Sequence, residues 1–220
     1  MKKFAGLTAG LLALGLAGAA IADDDEIITD QLDLTGFERI DISGVYDLDV
    51  RVGPEFSVEL SGPEYEMNRV EASVRNGALK LDMRDRKRGE KRRWRNKREG
   101  VDAVITLPML TGVEVSGVVD GTIKDVNAGE FEIDISGVGD VEIDGECGVL
   151  DANLSGVGDL SADGLECNKV IVKVSGVGDA DVYARDEVDA RVSGMGDIDV
   201  YGSPENVRKS SSMFSDITVH

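Results

Sequence analysis

Apolar and polar residues alternate along most of the chain after Phe37, in short runs separated by turn residues. In Phe131–Ile135, for example, three apolar residues alternate with two acidic ones. A period of two places the apolar side chains on one face of a strand and the polar side chains on the other. Asn76–Gly77 lies between two such runs and is a pair typical of a tight hairpin turn. The pattern predicts an all-β protein.

A five-residue phrase, which we call the corner motif, returns between the predicted strands. It is Ser-Gly-Val-Gly-Asp at Ser136–Asp140, Ser155–Asp159 and Ser175–Asp179, and Ser-Gly-Met-Gly-Asp at Ser193–Asp197. Weaker copies begin at Ser43, Ser116 and Ser212. From Ser116 onward, successive serines are 20, 19, 20, 18 and 19 residues apart. A fixed period near 20 residues indicates stacked repeats that bury their apolar faces against their neighbours.

Two packing schemes fit such repeats. In a meander or up-and-down barrel, successive strands pair with each other, whereas in a β-helix each strand pairs with its copy one repeat later. Identical corners at every period favour a right-handed parallel β-helix, with about 20 residues per coil in the C-terminal half and two short strands per unit. This scheme predicts that the central residues of the corner motifs form one inward ladder: Val138, Val157, Val177, Met195 and Phe214.

The first 22 residues have the features of a Sec signal peptide. Lys2 and Lys3 precede an apolar run from Leu7 to Ile21, and Ala20–Ala22 forms a small-x-small cleavage site. We expect an exported chain that begins near Asp23 and reaches the periplasm, the cell surface or the medium, where disulfides persist. Residues 23–36 are predicted to be an exposed acidic lead-in. Residues 37–220 are predicted to form a single β-helical domain with a basic loop at 84–98.

The charge of the chain restricts the classes of partner that it can bind. The formal net charge is −19, which argues against nucleic acid and against simple adsorption to anionic lipid. The loop at 84–98 is the exception, because it holds ten basic residues and the only tryptophan, Trp94. Arg92, Arg93, Trp94 and Arg95 are therefore candidates for binding a cell-surface polyanion or glycan. Alternatively, this loop folds back onto the protein's own acidic face.

The aspartates that close the corner motifs permit two interpretations. If the repeats stack, Asp140, Asp159, Asp179 and Asp197 form a ladder of carboxylates at about the spacing of strands. Such a ladder is a candidate for Ca²⁺ binding, since Ca²⁺ prefers oxygen ligands. The other interpretation is structural: each aspartate caps its own turn through backbone amides. No other cofactor is expected.

The two cysteines, Cys147 and Cys167, are one period apart. Stacked coils bring residues at this spacing within reach of a disulfide, so we predict that they are bonded. A metal pair would need more ligands nearby, and a catalytic thiol would need a histidine partner, but the only histidine is His220.

Catalysis is the alternative to binding, because β-helices also host polysaccharide lyases and hydrolases. Outward carboxylate pairs are plentiful: Glu132 with Asp134, Glu142 with Asp144, and Asp181 with Asp199. Nothing in the sequence distinguishes one pair as having the raised pKa that general acid catalysis requires. We therefore expect a non-enzymatic protein, with a carbohydrate-active enzyme as the alternative.

The corner motifs, together with Leu107–Leu110 before the repeats and Tyr201–Pro204 near the end, resemble the head GIN domain family. This family consists of exported bacterial proteins described as auto-transporter adhesins. The resemblance covers about Phe37 to Val219, and it implies a β-helical fold and an adhesin-like surface or periplasmic binding role of unknown ligand.

Overall fold

A computed structural model of the protein describes residues 26–85 and 100–220, which are almost entirely β-structure. The elements of this part are β1 Ile27–Leu32, β2 Arg39–Ser43, β3 Val45–Val52, β4 Ser57–Pro63, α1 Glu64–Met67, β5 Val70–Arg75, β6 Ala78–Met83, β7 Val101–Leu107, β8 Gly112–Val115, β9 Val118–Ile135, β10 Val138–Leu154, β11 Leu160–Val174, β12 Ala180–Val192, β13 Ile198–Tyr201, β14 Asn206–Ser210 and β15 Ile217–Val219. They form one sheet of 15 strands that is not closed.

The C-terminal half is a parallel stack. Strand β10 pairs in parallel with β9 on one side and β11 on the other, and β12 continues the order. Strands β13 and β14 both pair with β12, and β15 pairs with β13. Leu150 lies opposite Phe131 and Val170, each one period away. Strands therefore pair with their copies one repeat later, and the meander does not apply to this half.

The N-terminal half mixes parallel and antiparallel pairing. Strand β3 lies in parallel between β7 and β9, and β2 lies in parallel between β6 and β8. Strands β5 and β6 form the expected hairpin, whose turn residues Asn76 and Gly77 both have positive φ. Strand β1 pairs antiparallel with β4, so the stretch 23–36, predicted to be an exposed acidic lead-in, contains a strand, and the residues of this strand are largely exposed.

Each repeat unit contains one long strand where the alternation predicts two short ones. Strands β9 to β12 are 13–18 residues long, and their pairing shifts register in the middle, as between Ile143 and Gly145 in β10. Gly145 lies at this shift and has a φ of 141°, a conformation that glycine adopts without a steric penalty.

The core lies inside the stack and is built from columns of aliphatic side chains. Ile133, Ala152, Val172 and Ala190 lie opposite one another on successive strands and are fully buried. Each buried larger aliphatic side chain contributes roughly 1.5–3 kcal/mol, and the small alanines between them allow the column to interdigitate. None of the helices in the described ranges is long and apolar enough to cross a membrane.

Candidate functional site

From Ser116 to Ser193, the corner motifs stack so closely that only glycine fits their first glycine position. A Cβ atom on Gly156 would lie 1.9 Å from the carbonyl oxygen of Gly137, and one on Gly176 would lie 1.9 Å from that of Gly156. The second glycine is also constrained by conformation, because Gly158 has a φ of 140° and its Cβ would lie 2.0 Å from the oxygen of Gly139. The repeated glycines are thus explained by contact between repeats.

The residue between the two glycines points outward, so the prediction of an inward ladder was wrong. The exposed fractions are 49% for Val138, 52% for Val157, 45% for Val177 and 57% for Met195. Leu154 and Leu160, which flank the motif of Val157, are buried and fill the inner side of that corner. The side chain of Val157, which lies between them, therefore points into the solvent.

These outward residues form one row, which we call the apolar ridge: Val45, Val118, Val138, Val157, Val177, Met195 and Phe214. The first six are consecutive parallel partners. Phe214 is 79% exposed and holds the same position in the last corner, where the hydroxyl of Ser212 donates to the carbonyl of Gly194 at 3.2 Å. With strands about 4.8 Å apart, the ridge is about 30 Å long.

A row of carboxylates runs beside the ridge, each two residues after a ridge residue in the sequence. We call it the aspartate column: Asp120, Asp140, Asp159, Asp179, Asp197 and Asp216. The backbone N–H of Asp159 donates to Oδ1 of Asp140 at 3.0 Å, and that of Asp179 donates to Oδ1 of Asp159 at 2.8 Å. In the same way, the N–H of Asp197 donates to Oδ1 of Asp179 and the N–H of Asp216 donates to Oδ1 of Asp197, each at 2.7 Å. From Asp140 to Asp197, the aspartates thus accept hydrogen bonds from backbone amides of the following repeat, whereas Asp216, at the end of the column, accepts from the N–H of Ile217 at 2.8 Å.

Within the described residues, the aspartate column is not compensated by nearby cations. None of its six carboxylates forms an ion pair with any residue of 26–85 or 100–220. Across the same ranges, no group of three or more histidine, cysteine, aspartate or glutamate side chains is arranged to hold a metal ion. Calcium binding at Asp140, Asp159, Asp179 and Asp197 stays a prediction.

The surface beyond the column is also acidic. An open depression of about 600 Å³ is lined by Asp120, Asp140 and Glu142, together with Asp49 and the exposed side chain of Val104, among others. Further along the stack, partial burial raises the pKa of Asp181, and the charges of Asp199 and Asp163 raise it further. The negative charges on this surface are therefore close enough to repel one another.

A second perturbed carboxyl lies on a different face. Burial raises the pKa of Asp134, the charge of Glu132 adds to the shift, and a hydrogen bond with Asn153 opposes it. Glu132 itself accepts a hydrogen bond at 2.8 Å from Arg39. Two of the three carboxylate pairs noted in the sequence therefore contain one group with a raised pKa. Alternation could not reveal this difference, because it does not report partial burial.

The cysteines form the predicted disulfide. Cys147 in β10 and Cys167 in β11 are direct parallel partners with Cα atoms 4.5 Å apart, and their sulfur atoms are bonded. The bond therefore joins two consecutive repeats through their buried side.

Most of the basic loop lies outside the described residues, including the candidates Arg92, Arg93, Trp94 and Arg95. Arg84 is described: its guanidinium donates to the carbonyl of Asn68 at 3.0 Å, and its carbonyl accepts from Arg69 at 2.9 Å. Asp85 and Gly100, which flank the undescribed stretch, line a depression of about 650 Å³ that also includes Val45, Val118 and Val138. The flanks of the loop therefore lie at the beginning of the apolar ridge.

Fold and surface together define an all-β repeat protein whose stacked corner motifs display one row of exposed apolar side chains. Residues 36–204 match the family described as "Putative auto-transporter adhesin, head GIN domain", and the chain belongs to this family, as its motifs indicated. Among proteins with curated functional descriptions, none matches this sequence.

Solved structures show the same fold. A putative adhesin from Bacteroides fragilis has a TM-score of 0.71 at 23% identity, covering 89% of this chain and 97% of that one. Putative adhesins from Parabacteroides distasonis and Parabacteroides merdae have TM-scores of 0.53 and 0.50 at 17% and 16% identity. They cover 89% and 88% of this chain, and 98% and 95% of their own.

Proposed function

We propose that this protein is an exported, non-enzymatic binding module with an adhesin-like role at the cell surface or in the periplasm. The observation that carries the proposal is the apolar ridge. The core does not need this row, and its backbone is fixed: at Val157, the N–H donates to Gly137 and the carbonyl accepts from Gly139, both at 3.0 Å. Extended exposed apolar patches on soluble proteins mark interaction sites.

The scaffold of this module is, in our proposal, a right-handed parallel β-helix. The parallel register at a period near 20 residues supports it. Connections between parallel strands of one sheet are right-handed in almost all proteins, which supports the handedness. A rigid scaffold of this kind presents the ridge without the entropy loss of ordering it on binding.

Export through the Sec system is supported by the basic start, the apolar run Leu7–Ile21 and the site Ala20–Ala22. The disulfide also suits an oxidising compartment. Mass spectrometry of the protein from its native cells should find a chain that begins near Asp23 in the envelope fraction or the medium. An intact Met1 on a protein recovered from the cytosol would contradict export.

The basic loop is the proposed contact for a cell-surface polyanion or glycan, through Arg92, Arg93, Trp94 and Arg95. The test is a glycan and lipid array probed with the mature protein and with a variant that lacks residues 86–98, which keeps Arg84 and its bonds. The expected result is binding to anionic glycans that salt weakens and the deletion abolishes.

A milder variant separates the two interpretations of the loop. If Arg92→Ser, Arg93→Ser and Arg95→Ser together abolish polyanion binding and leave the unfolding midpoint unchanged, the loop contacts an external ligand. If they lower the midpoint, most at low salt, and no polyanion binds the parent protein, the loop instead neutralises the protein's own acidic surface.

A carbohydrate-active enzyme is the alternative, favoured by the raised pKa values of Asp134 and Asp181 beside other carboxylates. The structural relatives are named putative adhesins, which favours binding. Incubation with acidic and neutral polysaccharides, followed by assays for new reducing ends and for unsaturated products, decides between them. Turnover that Asp181→Asn or Asp134→Asn abolishes would replace the binding proposal.

A further inference from the structure

We propose that the apolar ridge and the aspartate column together form a docking site for a cationic polypeptide segment that presents aliphatic side chains on one face. This inference rests on the proposed function, because it names the chemistry of a partner for the same surface. It concerns described residues only and does not involve the basic loop.

The apolar half of the site is the ridge, whose seven members have exposed fractions from 36% at Val45 to 79% at Phe214. The first six are consecutive parallel partners and Phe214 holds the same position in the last corner motif, so together they form one line about 30 Å long rather than scattered surface residues. Single exposed apolar residues are ordinary on a protein surface, but a contiguous row of them is typical of an interface.

The charged half is the aspartate column, which follows the ridge along its length at the same spacing. In each carboxylate from Asp140 to Asp197, Oδ1 is held by a backbone N–H of the next repeat. This bond fixes the orientation of the carboxylate, and no cation within the described ranges neutralises it. Lys and Arg side chains suit such a surface, because their alkyl stems can lie on valine while their charged ends reach aspartate.

Charge and shape disfavour other occupants. A second copy of the chain would bring a like-charged column against this one, on a protein of net charge −19. Anionic glycans and lipids would be repelled for the same reason. A cationic polysaccharide would satisfy the column but would offer no aliphatic side chains to the ridge.

The spacing favours a helical segment. A helix turn rises about 5.4 Å, close to the spacing of about 4.8 Å between ridge residues, whereas alternate residues of an extended strand are about 6.6 Å apart. A helix with an apolar stripe can therefore follow the ridge over several turns. A helix of about 18 residues spans nearly its whole length.

The test measures fluorescence anisotropy of a labelled helical peptide of leucine and lysine, about 18 residues long, titrated with the full mature protein. The ridge variant combines Val138→Thr, Val157→Thr and Val177→Thr, which keep the β-branched shape. The column variant combines Asp159→Asn and Asp179→Asn, in which the amide oxygen can still accept the backbone hydrogen bond. The control variant, Glu130→Gln with Asp186→Asn, removes the same charge at exposed positions several residues from any corner motif.

We expect the peptide to bind the parent and the control variant equally, and the ridge and column variants each to lose about tenfold in affinity without any fall in the unfolding midpoint. A scrambled peptide of the same composition and a leucine–glutamate peptide should not bind. Equal loss in the control variant, or equal binding of the scrambled peptide, would show nonspecific charge attraction and overturn the proposal.

Three further outcomes would replace the proposed partner. Binding that appears only after deletion of residues 86–98 would make the chain's own basic loop the occupant. Self-association that the ridge variant abolishes would identify the occupant as a second copy of the chain. Preference for chitosan oligomers over the peptide would identify the occupant as a cationic polysaccharide. Failure of the peptide while the glycan array still shows ligands would reject this site and leave the binding module intact.

Discussion

Glycine is required in the corner motif for a different reason than in ordinary turns. At Gly156 the backbone does not have a positive φ, yet the carbonyl of Gly137 occupies the place of a side chain. Contact between repeats, rather than turn geometry, therefore selects glycine there. Gly129 is a natural comparison, because a Cβ atom at that position would meet nothing within 4 Å.

Gly156→Ala should therefore lower the free energy of unfolding by about 3 kcal/mol or more, because the stacked backbones must separate to admit the methyl group. Gly129→Ala should change it by less than about 0.5 kcal/mol. Urea denaturation of the two variants beside the parent protein measures both values. Equal stabilities of the two variants would mean that the repeats are not packed as closely as described.

The raised pKa of Asp181 leads to a pH-dependent prediction. Burial and the charges of Asp199 and Asp163 disfavour its ionised form in the folded state. The folded state then holds this proton more tightly than the unfolded state, so the group reduces stability as the pH rises through its raised pKa. Below the unfolded value of about 3.9 both states are protonated and the penalty is absent.

Asp181→Asn should consequently raise the unfolding midpoint at pH 7, and the gain should shrink as the pH falls and vanish below about pH 4. Asp186→Asn, at an exposed position, should give no such gain. Thermal unfolding followed by circular dichroism across this pH range makes the comparison. A gain for Asp181→Asn that stays constant with pH would mean that charge is not its cause.

Among the elements, β10 and β11 are the pair held covalently. The disulfide joins partners that are already in register, and it closes a loop of 20 residues. Its main effect should be to restrict the unfolded chain, a contribution of about 3 kcal/mol for a loop of this size.

Cys147→Ala combined with Cys167→Ala should lower the free energy of unfolding by about that amount and leave the parallel pairing intact. A reducing agent should destabilise the parent similarly and have no effect on the double variant. Thiol titration of the denatured, non-reduced parent should find no free thiol. Two free thiols in protein taken from the exported fraction would contradict the bond.

For the whole molecule, the main electrostatic feature is its unbalanced negative charge. The net charge is −19, and the aspartate column places carboxylates about one strand spacing apart along the stack. Repulsion among these groups opposes the folded state and is weakened by salt, because the screening length falls from about 30 Å at 0.01 M to about 10 Å at 0.1 M.

The unfolding midpoint should therefore rise with ionic strength. The column variant, Asp159→Asn with Asp179→Asn, should have a higher midpoint than the parent at low salt and a smaller rise with salt. The control variant, Glu130→Gln with Asp186→Asn, loses the same net charge and should resemble the parent more closely. A midpoint that falls with added salt would indicate that ion pairs, not repulsion, dominate.

Much of the architecture could be predicted from the sequence. The alternation of residues such as those in Phe131–Ile135 predicted strands, and the period of the serines predicted pairing one repeat away. Asn76–Gly77 identified its hairpin, and the spacing of Cys147 and Cys167 identified the disulfide. These features depend on local conformation or on a fixed repeat length, and both can be recognised directly in the amino-acid sequence.

Only the tertiary structure determined whether the central side chain of each corner motif points into the core or into solvent. Val157 is apolar and repeated, so the sequence favoured the core for it, but Leu154 and Leu160 already fill that side and the valine is exposed. It also decided that Asp140 bonds the amide of Asp159 rather than its own turn, and that Asp181 is perturbed. These outcomes depend on how neighbouring repeats occupy space and exclude water around a side chain, which the period of a sequence does not specify.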